Sequence, residues 1–100
     1  MARRDHPITD YRAVVDESTQ LVDVRQPEEL VAGTLDGAIN IPLDRLAERI
    51  GELDPARRTV MLCRSGGRSA KAADELSRAG FVDVVNLEGG MIAYTKESTS

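Results

Sequence analysis

The sequence predicts an α/β domain with a central, mostly parallel five-stranded sheet and helices on both of its faces. Short runs rich in Val, Leu and Ile alternate with segments of helical periodicity, and the links between them are short. Strands and helices that alternate in this way are joined by right-handed crossovers, which place neighbouring strands parallel. One run, 59–63, is apolar, as is typical of a strand covered on both faces.

The predicted strands place one residue of chemical interest at the edge of the sheet. They comprise an edge strand near Pro7–Ile8 and further strands at 20–24, 38–41, 59–63 and 82–87. Ligands of parallel sheets bind beyond the carboxyl ends of the strands. Since Cys63 ends the fourth of these strands, we expect it at that edge.

Helices are predicted between the strands. Pro27–Leu30 begins one of them, with proline near its start and acidic residues in its first turn. Apolar residues at helical spacing predict two more, at 43–50 and after residue 68. Shorter helices are predicted at 10–15 and 91–94.

Length and composition indicate one domain over residues 1–100, with 96–100 as a flexible tail. The chain has 41% hydrophobic residues, a net charge of −4 and a single cysteine. Its mixed charges offer no basic surface for nucleic acid and no amphipathic cationic face for a membrane. No apolar run spans a bilayer, and none follows the basic residues near the start, so a cytoplasmic location is expected.

The segment from Cys63 to Ser69 combines features that activate a thiol. It joins a buried strand to the start of a helix, where successive backbone N–H groups converge on an anion. Two glycines allow the backbone to curl, and two arginines add positive charge near the sulfur. These effects favour the thiolate, which is the nucleophilic form of cysteine. Cys63 is the predicted catalytic residue, and the predicted substrate-binding residues are Arg64, Ser65, Gly66, Gly67, Arg68 and Ser69.

Individual side chains of this segment allow finer expectations. Arg68 is expected to fold back over the loop and to bind oxygens through its forked guanidinium. Ser65 and Ser69 suit hydrogen bonding within the loop and capping of the following helix equally well. No metal site or cofactor is predicted, because His6 has no second ligand at a suitable spacing.

Several segments, in order, resemble the motifs of the single-domain rhodanese family and together span most of the chain. They are Leu21–Arg25 with Pro27–Glu29, then Gly37–Pro42, Cys63–Ser69, and Gly80–Phe81 with Leu87–Met91. Two positions depart from the family pattern: Thr34 stands where relatives often carry His, and Tyr94 where many carry Trp. Neither position performs the chemistry, so we expect altered packing rather than lost activity.

The resemblance implies an α/β fold with a parallel sheet, and sulfur carried as a persulfide on Cys63. It also implies that the N–H groups of the loop, with Arg64 and Arg68, hold an anionic substrate. The family's Asp-Val-Arg segment supports the fold near the site.

Three further residues are interpreted as support for the site, namely Asp23, Arg25 and Glu29. Within this group Arg25 is expected to pair with Glu29.

The predicted function is transfer of sulfane sulfur from thiosulfate or a persulfide donor to a thiol or cyanide. A thioredoxin-like protein and a cysteine desulfurase are both compatible as protein partners. One alternative is a binding or regulatory module without catalysis, although the chain keeps Cys63 and both arginines. The other is a phosphatase or arsenate reductase. The loops of those enzymes have five residues between Cys and Arg, whereas four separate Cys63 from Arg68.

Overall fold

A five-stranded sheet forms the centre of the computed structural model, which describes residues 3–99. The strands are β1 (Arg4–Pro7), β2 (Gln20–Asp23), β3 (Ile39–Asn40), β4 (Thr59–Leu62) and β5 (Val84–Glu88). Their order is β1-β5-β4-β2-β3, and every neighbouring pair is parallel. The predicted α/β class and parallel sheet are confirmed.

The helices are α1 (Leu46–Arg49), α2 (Gly67–Arg78) and α3 (Gly90–Thr99) within the described residues. Segments of 3-10 helix lie at Ile8–Ala13, Pro27–Ala32, Leu43–Arg45 and Ile50–Glu52. The predicted tail, 96–100, coincides with the end of α3 as far as Thr99, and Ser100 lies outside the described residues.

The helix predicted to begin at Pro27 is a 3-10 helix for a reason visible in its hydrogen bonds. The carbonyl of Glu29 accepts from the Arg25 side chain at 3.2 Å instead of from the N–H group four residues later. That N–H group, on Gly33, donates to Leu30 at 2.8 Å, which closes a 3-10 turn. The segment is thus shaped by a side chain from the preceding strand end.

The segment predicted as one helix over 43–50 is divided in the structure. It consists of a 3-10 turn, α1 and a second 3-10 turn. The φ angle is −108° at both Arg45 and Arg49, away from the usual helical value, and these residues mark the two transitions.

Side chains alternate across the strands and build two apolar layers. Val22 of β2 and Met61 of β4 face α1 and α2, with Leu76 of α2 packed in the same cluster. On the opposite face, Val60 and Leu62 pack with the apolar side chains of Ile8–Ala13 and α3. Helical segments therefore cover both faces, as expected for a parallel sheet.

The topology places β4 in the middle of the sheet, between β5 and β2. Cys63 follows β4 directly, beside the carboxyl ends of its two neighbours. None of the helices within residues 3–99 has the length and apolar character needed to cross a bilayer.

Candidate active site

The Cys63 side chain lies inside the loop that connects β4 to α2. It is 1% exposed. The backbone N–H group of Gly66 donates to its sulfur at 3.0 Å, and the hydroxyl oxygen of Ser69 lies 3.3 Å from it. The loop thus folds around the sulfur, as the sequence predicts.

These contacts alter the acidity of the thiol. Burial raises the pKa of Cys63, because the interior disfavours the charged form. The Ser69 hydroxyl and the backbone N–H groups of Ser69, Gly66 and Ser65 oppose burial, and together they lower the pKa below its ordinary value. The largest effects that lower the Cys63 pKa therefore come from neutral groups of the loop, and the nearby charge of Arg68 also favours the thiolate.

The loop depends on glycine where it approaches the β5–α3 connection. Gly66 has a φ of 102°, in the left-handed region, and a Cβ there would lie 3.2 Å from the backbone nitrogen of Gly89. Gly90 has a φ of 59°, and a Cβ there would collide with the carbonyl group of Arg64. Both positions require a residue without a side chain.

The start of α3 orients the peptide groups of the loop. The N–H groups of Met91 and Ile92 donate to the carbonyl oxygens of Cys63 and Arg64, each at 2.9 Å. In a trans peptide the N–H group points opposite to the carbonyl. With the Arg64 carbonyl held toward α3, the N–H group of Ser65 faces away from that helix, consistent with its effect on the Cys63 sulfur.

Asp23 and Arg25 form a buried ion pair at the end of β2, which corrects the expected pairing of Arg25 with Glu29. The closest contact, from Arg25 Nη2 to Asp23 Oδ2, is 2.7 Å, and the two side chains are 5% and 0% exposed. A buried carboxylate requires a charged partner, and Arg25 is the nearest one. Arg25 reaches Glu29 only at its backbone carbonyl.

Glu29 is instead paired with Arg68 across the mouth of the loop. The two guanidinium nitrogens of Arg68 donate to the two carboxylate oxygens, both at 2.7 Å. The Arg68 side chain holds the pKa of Glu29 down at about 2. Arg68 does extend over the loop, but its forked donors are engaged by this chain's own carboxylate.

Arg64 differs from the other arginines of the site, because its side chain is exposed and no described residue pairs with it. It lines an open pocket of about 560 Å³ beside the loop. Ala32, Met91 and Ile92 supply apolar walls, and Glu29 borders the pocket on the side of the Arg68 pair. An anionic ligand in this pocket would meet the Arg64 guanidinium.

The remaining predicted residues of the loop differ in their exposure and contacts. Ser65 and Gly67 are exposed and border a smaller polar pocket on the other side of the loop. Ser69 is fully buried and bonds within the loop, which decides between the two roles left open for it.

The two departures from the family pattern are both accommodated. Thr34 donates its hydroxyl to Asp23 Oδ2 at 2.7 Å, so it supplies a polar contact to the buried ion pair. Tyr94 packs edge-on against Tyr11, with ring centroids 5.9 Å apart.

Two polar residues behind the cysteine, Asn86 and Asp5, are not predicted by the sequence patterns. Asn86, 3% exposed on β5, accepts from Ser69 at 2.6 Å and donates to Asp5 of β1 at 3.1 Å. The signal for Asn86 was present, because it is the one polar residue in the apolar run from Val84 to Leu87. Within residues 3–99 no group of three or more His, Cys, Asp and Glu side chains is placed to hold a metal ion.

Comparisons with known proteins identify the family. The model of the rhodanese-like domain matches residues 9–97. A sulfurtransferase of Allochromatium vinosum is 38% identical over 80% of this chain and 75% of its own length. A thiosulfate sulfurtransferase, GlpE, of Shewanella oneidensis is 40% identical over 78% of this chain and 77% of its own length.

Solved structures agree with the sequence relatives. The crystal structure of a rhodanese-related protein from Thermoplasma volcanium superposes with a TM-score of 0.84 at 32% identity, covering 94% of this chain and 92% of that one. The chain belongs to the rhodanese-like sulfurtransferase family.

Proposed function

We propose that this protein is a sulfurtransferase that carries sulfur as a persulfide on Cys63. The observation that carries the proposal is the set of neutral donors converging on the Cys63 sulfur, which lower its pKa despite its burial. A thiolate held in this way is a nucleophile toward sulfur, and the same donors suit the anionic sulfur of a persulfide.

Loading begins with attack of the Cys63 thiolate on the outer sulfur of the donor. With thiosulfate, a bond forms between the Cys63 sulfur and the outer sulfur, the sulfur–sulfur bond of thiosulfate breaks, and sulfite leaves with the electron pair. Two negative charges arrive on thiosulfate and two depart on sulfite, so that the persulfide keeps the single charge of the thiolate. An organic persulfide loads Cys63 in the same way and releases its thiolate.

Discharge returns Cys63 to the thiolate. An acceptor thiolate attacks the outer sulfur of the protonated persulfide, the Cys63 sulfur–sulfur bond breaks, and the new persulfide leaves on the acceptor. Cyanide attacks the anionic persulfide and leaves as thiocyanate. Since Cys63 is the single cysteine of the chain, no internal disulfide can form and sulfur passes to another molecule.

The pocket beside the loop supports an anionic donor or acceptor. Arg64 offers a guanidinium that no described residue engages, while Arg68 is held by Glu29. Because a forked guanidinium binds oxyanions well, Arg64 is the first contact that we assign to thiosulfate or to a carboxylate-bearing thiol. A thiol-bearing protein, thioredoxin-like or a desulfurase, is the corresponding macromolecular partner, and the cytoplasm is the proposed location.

The experiment is intact mass spectrometry of the reduced protein before and after addition of thiosulfate. We expect a gain of one sulfur atom, reversed by cyanide, and no gain in Cys63→Ser. If neither thiosulfate nor an organic persulfide adds sulfur to a cysteine that still reacts with an alkylating agent, the proposal is wrong and a binding module becomes the better interpretation. Hydrolysis of an aryl phosphate would instead support the phosphatase alternative.

A further inference from the structure

A line of hydrogen bonds runs from the reactive sulfur to the first strand. The Ser69 oxygen lies 3.3 Å from Cys63 Sγ and 2.6 Å from Asn86 Oδ1. The Asn86 amide nitrogen donates to Asp5 Oδ1 at 3.1 Å, and Asp5 also accepts from Arg3 at 2.9 Å. Ser69 and Asn86 are 0% and 3% exposed, so bulk water does not compete for their polar groups.

The chemistry of these groups determines the direction of each bond. An ionised carboxylate only accepts hydrogen bonds, and the contacts with Arg3 and Asn86 lower the pKa of Asp5. The side of Asn86 that meets Asp5 must therefore be its NH₂ group. Its carbonyl oxygen consequently faces Ser69, where it accepts a hydrogen bond.

A hydroxyl group has one proton, and three acceptors lie within reach of the Ser69 proton. Asn86 Oδ1 is the closest, at 2.6 Å, followed by the carbonyl oxygen of Gly66 at 3.2 Å and by Cys63 Sγ at 3.3 Å. When Ser69 donates to Asn86, its oxygen is left to accept the S–H group of a neutral Cys63. When Cys63 is a thiolate, the same proton is the donor that the sulfur needs, and Asn86 loses it.

We propose that Asn86 and Asp5 are positioning residues that hold the Ser69 proton away from the sulfur while the sulfur is neutral and release it when the sulfur is anionic. The proposal rests on the persulfide cycle above, in which the Cys63 sulfur changes charge at each step. Loading neutralises this sulfur, and the hydroxyl turns to Asn86. Discharge breaks the bond between the two sulfurs and leaves the electron pair on Cys63, and the hydroxyl turns back to stabilise it.

The test measures the pKa of Cys63 from the ultraviolet absorbance of the thiolate, with no sulfur donor present. Asn86→Leu removes the closest competing acceptor and leaves only the Gly66 carbonyl, at 3.2 Å, to compete with the sulfur. The Cys63 pKa should therefore fall, by up to about one unit for a hydrogen bond to a charged group. Ser69→Ala should raise it. In the Ser69→Ala background, Asn86→Leu should no longer change it, because no proton remains to be directed. An unchanged or raised pKa in Asn86→Leu, or a fall that persists without Ser69, would overturn the proposal.

A second variant avoids the buried position. Asp5→Asn allows the Asn86 amide to turn, because residue 5 can then accept from it or donate to it. The Cys63 pKa should fall in this variant as well, and this fall should likewise require Ser69. If Asp5 acted only through its negative charge, its loss would lower the Cys63 pKa with or without Ser69, and that outcome would contradict the proposal. Asp83→Asn is the matched control, since it removes an arginine-paired carboxylate before β5, at the end of the strand away from Cys63.

The other charged side chains around the loop are not substituted in these variants, although Asp5→Asn removes one of the two carboxylate partners of Arg3. These side chains are Arg64, Arg68 with Glu29, Arg25 with Asp23, Arg3 with Asp74, and Glu88. The pKa measurement also tests the role of Asn86 and Asp5 separately from the proposed sulfur transfer. A shifted pKa without persulfide formation would contradict sulfur transfer alone, whereas persulfide formation with an unshifted pKa would contradict only the role of Asn86 and Asp5.

Discussion

At the scale of residues, no arginine within the described part of the chain donates a hydrogen bond to the Cys63 sulfur. The hydrogen bonds to the Cys63 sulfur come from a backbone N–H group and a hydroxyl, whereas Arg25 and Arg68 are each paired with a carboxylate. The sequence predicts activation by the loop N–H groups and by the arginines together. The largest effects that lower the Cys63 pKa come from Ser69 and the backbone N–H groups, and Arg68 also attracts the thiolate electrostatically.

Arg68 gives a prediction at this scale. Arg68→Ala should raise the KM for thiosulfate about tenfold, because the unpaired Glu29 carboxylate then faces an anionic donor. Arg68→Ala combined with Glu29→Gln should recover most of that loss. Steady-state kinetics checks this, with Arg45→Ala as the control for loss of an exposed arginine. Equal KM values in the single and double variants would show that Glu29 does not oppose the donor.

At the scale of elements, α3 acts on the loop through its first turn. Its N–H groups bind the carbonyls of Cys63 and Arg64, and Gly90 allows the two segments to approach. The apolar side of α3 packs on the sheet, so the helix position is set by the core rather than by the loop. The N–H donors around the Cys63 sulfur are thus aligned by α3, which acts on the loop through its backbone.

Gly90→Ala tests this alignment. A Cβ at residue 90 collides with the Arg64 carbonyl and sits on a left-handed backbone, so we expect a loss of about 2 kcal/mol in the free energy of unfolding. The Cys63 pKa should also rise, because the N–H groups of the loop move. Gly51→Ala is the matched control, since nothing lies within 4 Å of a Cβ there. Denaturant unfolding and thiolate absorbance give the two measurements, and equal behaviour of both variants would refute the alignment.

The elements also show what could be predicted from the sequence. The strands and α2 have clear apolar patterns, and Cys63–Ser69 was identified because its residue types point to one chemistry. The segments at 27–32 and 43–52 are harder to predict, since a side-chain hydrogen bond from Arg25 and the φ angles of −108° at Arg45 and Arg49 decide their form. Asp5 could not be found, because its role depends on the pairing of β1 with β5, which no local pattern encodes.

At the scale of the whole molecule, the Glu29–Arg68 pair makes the free energy of unfolding depend on pH. Glu29 has a pKa of about 2 in the folded protein against an ordinary value of 4.5. Because the folded value is the lower one, the pair stabilises the fold fully above pH 4.5, and this contribution is lost as the pH falls toward 2. The loop is therefore anchored throughout the neutral and mildly acidic range.

The corresponding prediction compares the parent with Glu29→Gln. The parent should be more stable at pH 6, and the difference between the two denaturation midpoints should shrink steadily below pH 4.5 and vanish near pH 2. Glu28→Gln changes the exposed neighbour and should track the parent at every pH. A difference that stays constant with pH would mean that the Glu29 charge does not contribute.

The hydrogen bond between Asp5 and Asn86 joins residues 81 apart in the sequence. During synthesis, β4 and Cys63 leave the ribosome before β5 and the first turn of α3, and contacts between residues this far apart in the sequence form late in folding. Until then the Ser69 hydroxyl lacks Asn86 as an acceptor, and the N–H groups of α3 do not hold the carbonyls of the loop. We therefore expect the cysteine of a nascent chain to stay an ordinary thiol until β5 and α3 have packed against the loop.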